Sequence, residues 1–211
     1  MDFIQSFDTL RKGHDPPGPD AQQGDLVHQS VDLAGFHIHA NAAFQANEDR
    51  ARVSQFFFVT FGTFIAALFS TQISGIDLRQ LFLSFGILFL LIALLGAMTM
   101  LQLTRLRLAW IESARAMNQI KDEAIKINPN LTAYFRWTNE TIPPAYKPRS
   151  VGWILAIMVA LLSGLAIGSA VAFFSLSRRP ESVPWLFSLL LGIVGTILSF
   201  IAFYRQPLKP S

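Results

Sequence analysis

The feature that most limits this chain is a set of four long apolar stretches, 53–74, 80–103, 151–176 and 184–204, none of which holds an Asp, Glu, Lys, Arg or His. A helix needs roughly 20 such residues to cross the hydrocarbon core of a bilayer. The turns SGIDLR and SRRPESV between stretches one and two, and between three and four, are too short for anything but antiparallel pairing. The expected fold is therefore all-α, an integral membrane protein with four transmembrane helices in two hairpins. Composition agrees: 52% of residues are hydrophobic, mean hydropathy is +0.40, and only 15% are charged, against about 25% in soluble domains.

Orientation follows from where the positive charge lies, since cytoplasmic loops are enriched in Lys and Arg. Of the 17 Lys and Arg residues, Arg79, Arg178 and Arg179 fall in the two short turns. All the others precede stretch one, follow stretch four or lie between stretches two and three. Both termini and the long central segment are thus expected in the cytoplasm, with the protein in a plasma membrane. The triplets Asn130-Leu-Thr132 and Asn139-Glu-Thr141 then lie on the wrong side for glycosylation and read as chance matches. The first residues, with Asp2 and Asp8 around a short apolar patch, do not make a signal peptide. Insertion is expected to rely on the first span.

The second span is only part of a longer element. From 79 to 126 nothing breaks a helix past the membrane exit: residues 104–126 hold no Pro or Gly. Leu106, Trp110, Ala114, Met117 and Ile120 recur at steps of three and four, continuing an apolar stripe from Leu103. The spacing predicts one rod that leaves the membrane as a cytosolic helix, the extension of the second span. Its stripe has two candidate partners, the helix expected over 26–50 or another subunit. Residues 26–50, with Val27, Val31, Ala34 and Ile38 at helical steps, are expected to feed directly into span one.

The rest of the chain is linker and boundary. Residues 2–12 place Phe3, Phe7 and Leu10 on one helical face, either a frayed terminus or a helix lying on the membrane or on the protein itself. The run HDPPGPDAQQGD at 14–25 reads as a Pro/Gly linker. The organisation expected is 1–25 as a terminal segment, 26–130 as the first hairpin with its helices, 131–150 as an aromatic and Pro-rich cytosolic loop, and 151–211 as the second hairpin and tail. In that loop Tyr134, Phe135 and Trp137 surround Arg136, suited to a headgroup boundary or to packing on the rod.

Span three carries the sharpest pattern. Ala156, Ala160, Gly164, Gly168 and Ala172 are four apart and form one small face, and span four answers with Ser188, Gly192 and Thr196. Small faces let helix backbones approach where lipid supplies no hydrophobic drive to associate. The contact expected is either within one subunit, against span four, or between subunits of a homo-oligomer. Ile167, one position off that line, is expected to tolerate conservative change.

Chemistry is harder to find. Absent cysteines exclude disulfides and thiolate metal sites. His28, His37 and His39 lie near Asp32, but on a helix residues two apart face different ways, so no metal or haem site is expected. A cation-coupled carrier keeps an ionisable residue inside the membrane, and the four spans hold none. No phosphate loop, nucleophile elbow or zinc signature occurs. The expectation is no catalytic site, no cofactor and no nucleic-acid partner, with the lipid bilayer and an unidentified cytosolic or membrane protein as the partners left.

The hairpin ending near Leu103 and the helix RLRLAWIESARAMNQIKDEAIK that runs off it give the chain a resemblance. This architecture is similar to uncharacterised bacterial multi-pass proteins and, more loosely, to the SLATT-type membrane effectors of bacterial conflict systems, which are proposed to form pores after a nucleotide-signal partner acts. The likeness covers about half the chain, leaves out spans three and four, and transfers no residue roles. It implies a membrane scaffold or an oligomeric pore or effector unit. The alternative is a transporter or channel subunit that depends on a partner protein.

Overall fold

The computed structural model describes residues 19–70, 77–127, 129, 132, 141–179 and 181–209, with side chains from residue 34 onward. Helix α1 is Pro19–Ser70, α2 is Leu78–Ile127, α3 is Val151–Arg178 and α4 is Trp185–Phe200, closed by a π-helical turn at Ile201–Arg205. Among the described residues there is no strand. All four helices are long and apolar enough to cross a membrane.

Local chemistry sets the ends. Pro19 occupies the first position of α1, where its fixed φ suits a helix and its missing N–H costs nothing. Asp77 starts α2, its carboxylate accepting from the Arg79 backbone N–H at 3.0 Å. Ser150 caps α3 in the same way, accepting from Trp153 N at 3.3 Å. Between its ends α2 is continuous for 50 residues, about 75 Å at 1.5 Å per residue. Helix α1 is as long, at 52 residues. Residues 19–25, expected as linker, belong to α1. The segment expected over 2–12 and the cluster Tyr134, Phe135 and Trp137 lie outside the described residues.

Neighbours in sequence pack together, α1 on α2 and α3 on α4, and a third seam of similar extent joins α2 to α3. Aromatic rings fill the centre. Phe64 of α1 meets Phe89 of α2 edge-on at 5.0 Å, and Phe89 stacks on Phe173 of α3 at 5.5 Å. Each such pair is worth about 0.5–1.5 kcal/mol beyond its buried area. Phe57, Met100, Leu103 and Val159 complete the buried core. Glycines bring the backbones close enough for this: a side chain at Gly86 would sit 2.8 Å from the Phe174 ring, and one at Gly96 would overlap Ser163 Oγ. Two buried hydroxyls are returned to their own helices, Ser163 to Val159 O at 2.7 Å and Thr99 to Leu95 O at 2.9 Å. Outward faces are apolar, with Leu186, Leu189 and Leu190 of α4 all exposed.

Candidate functional site

Two places gather the chain's unusual residues: the α3–α4 seam, and the junction where α3 begins and α4 ends.

In the seam, the line Ala156, Ala160, Gly164, Gly168 and Ala172 turns toward α4. A side chain at Gly164 would overlap Thr196 Oγ1 and come to 2.5 Å from the Gly192 carbonyl; one at Gly168 would meet the Ser188 carbonyl at 2.8 Å. Gly192 in turn faces the Gly164 carbonyl at 2.9 Å. The contact is backbone against backbone, within one chain. A second small line, one residue over, is equally buried: Val159, Ser163, Ala166 and Ala170, with Ser163 set against Gly96 of α2. Helix α3 is thus small on two faces and sits between α2 and α4. Ile167 is not the neutral position expected, because its Cδ1 lies where a side chain on Gly195 would begin, at 2.6 Å.

Outside this seam lies an apolar groove of about 400 Å³, floored by the three seam glycines and reaching Trp185. Ser188 lines it, and its buried hydroxyl has no hydrogen-bond partner among the described residues.

The junction is polar and cationic. Arg107 of α2 donates from Nε to Ala145 O at 3.3 Å and from Nη2 to Pro144 O at 3.2 Å, and it lies 4.8 Å over the Trp110 ring. Thr104 donates to the Phe203 carbonyl at 2.6 Å, tying α2 to the π turn. That turn is closed by a five-residue bond, Gln206 N to Ile201 O at 2.9 Å. Arg50 of α1 reaches the first turn of α3, with Nη1 3.1 Å from where a Gly152 side chain would begin. Tyr204 is buried beside the same glycine and packs on Tyr146 and Phe200. Burial, then the like charge of Arg50, lowers the Arg107 pKa, while Tyr204 acts the other way. A guanidinium starts so high that it stays charged throughout. Chemically the junction is a latch of donors and fixed charge that ties the end of α4 and the segment leading into α3 to α2.

The stripe expected on α2 is half in contact. Leu106, Trp110, Ala114, Met117 and Ile120 are all partly buried and Leu103, where the stripe starts, is fully so, while Ile111 and Asn118 beside the stripe lie deeper than its later members, so the packed face is turned slightly from the predicted one. It meets α1: Ile120 Cδ1 lies 3.5 Å from a side-chain position on Gly35, and Lys121 Nζ is 5.7 Å over the Phe36 ring. His37 and His39 sit on α1 without forming a cluster, since no three His, Cys, Asp or Glu side chains converge among the described residues. The His28 and Asp32 side chains are outside them.

Sequence reasoning missed Thr104, Arg107, Gly152 and Tyr204. The acceptors of Arg107 and Thr104 lie 37 to 99 positions away along the chain, Gly152 meets Arg50 from the first helix, and no periodic pattern carries a signal over such separations. The chain matches no protein-family model, no curated protein and no solved structure.

Proposed function

We propose that this chain is a non-enzymatic scaffold of a bacterial inner membrane, with both termini and the central segment in the cytoplasm. Its four apolar helices form two hairpins, and the outer halves of α1 and α2 stand in the cytosol as a paired helical arm. The observation that carries this reading is length. Helix α2 runs 50 residues unbroken, about 75 Å, while the hydrocarbon core is only about 30 Å thick. Helix α1 stays against it near Gly35 and Ile120, far from the apolar centre of either helix. Such an arm presents a surface to a protein partner. The packed aromatic core of one copy favours a scaffold over a carrier, because Phe57, Phe64, Phe89 and Phe173 occupy the space a polar pathway would need.

The resemblance to SLATT-type effectors supports a second use of the same architecture, an oligomeric pore built between copies. Purified protein reconstituted in liposomes with an entrapped dye separates the two. A scaffold leaves the dye inside at every protein-to-lipid ratio. Release that rises steeply with protein density, together with an oligomer by light scattering, would replace the scaffold with the pore.

A further inference from the structure

A second groove continues along the α3–α4 seam toward the junction, with a volume of about 310 Å³. Ile157, Ala160 and Leu161 of α3, Ile197 of α4 and Ile201 of the π turn make it apolar, and Arg205 closes its end. The π turn accounts for that arginine's place. On an α-helix a line of every-fourth residues drifts steadily round the axis, and a wider turn reverses the drift. Ile197, Ile201 and Arg205 therefore stay on one groove.

Arg205 is exposed, and no described residue gives it a hydrogen bond or ion pair. Basic residues gather at this end of the molecule. Lys147, Arg149 and Lys209 are exposed at the same end of α3 and α4, with Arg50 and Arg107 behind them. After Glu140 the sequence has a single carboxylate side chain, Glu181, which follows the opposite end of α3. An apolar trough that ends on an exposed guanidinium, without an ion-pair partner among the described residues, fits an amphiphile with an alkyl chain and an anionic head.

We infer that the groove between α3 and α4 binds an anionic phospholipid of the adjoining leaflet, its acyl chain along Ile157, Leu161, Ile197 and Ile201 and its phosphate on Arg205. The inference rests on α3 and α4 being spans, and not on which side of the membrane the termini face. The acyl chain distinguishes this ligand from free phosphate, and the extra headgroup charge distinguishes it from a zwitterionic lipid.

The test is thermal unfolding of the full chain in a non-ionic detergent, titrated with dioleoylphosphatidylglycerol, dioleoylphosphatidylcholine or inorganic phosphate. Phosphatidylglycerol should stabilise saturably and bind about fivefold more tightly than phosphatidylcholine, the usual contribution of one basic residue at a lipid surface. Phosphate alone should do nothing. Arg205→Gln should abolish the preference, while Arg178→Gln, the same charge change at the far end of α3, should preserve it. Ile197→Trp, which fills the trough from an exposed position, should weaken both lipids. Equal binding of the two lipids by the native protein, a preference that survives Arg205→Gln, or a shift reproduced by phosphate would each overturn the assignment. Topology is read by a separate labelling experiment, so a failure there and a failure here can be told apart.

Discussion

Glycine has opposite meanings along this chain, and the surrounding space decides which. At Gly164 a methyl group would run into Thr196 Oγ1 and the Gly192 carbonyl, and the second of these is backbone that cannot rotate away. Gly164→Ala should therefore separate α3 from α4 and destabilise by about 1–3 kcal/mol, the usual range for overpacking. At Gly62 a side chain meets nothing within 4 Å, so Gly62→Ala should raise stability by roughly 0.8–1 kcal/mol through helix propensity alone. Unfolding of the pair in one detergent checks both signs; a Gly164→Ala protein as stable as the native one would mean the two backbones are not in contact. The larger change Gly168→Leu should fail more severely, against the Ser188 carbonyl. Its matched control is Leu165→Ile, since Leu165 is 57% exposed, whereas Ile167 touches Gly195. The spacing of the small residues was visible in the sequence as a line of fours. That Ile167 also points at α4 was not, because it depends on the rotation of α4 and not on any pattern within α3.

At the scale of whole elements, the continuity of α2 was legible because helix needs only local permission: apolar residues at helical steps and no proline or glycine past the membrane exit. The junction was illegible for the opposite reason, being a set of single long-range bonds. Each can be tested where it acts. Ala114→Pro removes a backbone hydrogen bond and sets a ring against the preceding turn, which should cost about 3 kcal/mol or more. Helical circular dichroism and thermal stability should fall together. Thr104→Val keeps the shape of α2 but takes the donor from Phe203 O, whose bond with Thr104 is 2.6 Å. Leaving a part-buried carbonyl without its partner should cost about 1–3 kcal/mol. Hydrogen exchange should report it locally, as faster exchange around Ile201–Arg205 with the centre of α3 unchanged. Uniformly faster exchange would make Thr104 an ordinary core residue and not a latch.

For the molecule as a whole, four helices long and apolar enough to cross a membrane could be read from composition and length, because a bilayer selects for both and leaves a plain signature. The arrangement of the spans could not. Two short turns imply two hairpins, yet the seam that holds them together, Gly86 and Gly96 of α2 against Phe174 and Ser163 of α3, joins spans separated by nearly fifty residues of chain. Orientation rests on charge alone, and the native absence of cysteine makes it directly measurable. Single substitutions Glu181→Cys in the turn before α4, Glu123→Cys near the end of α2 and Lys209→Cys after the π turn each place a thiol at an exposed or accessible surface. In intact cells a membrane-impermeant maleimide should label Glu181→Cys only. After the membrane is opened, Glu123→Cys and Lys209→Cys should label as well. The expectation follows from the basic residues, of which only Arg79, Arg178 and Arg179 lie on the side of Glu181, since translocating a Lys- or Arg-rich loop is disfavoured. Labelling of Lys209→Cys in intact cells would give α4 the reverse direction, and labelling of all three would mean that α3 and α4 do not cross.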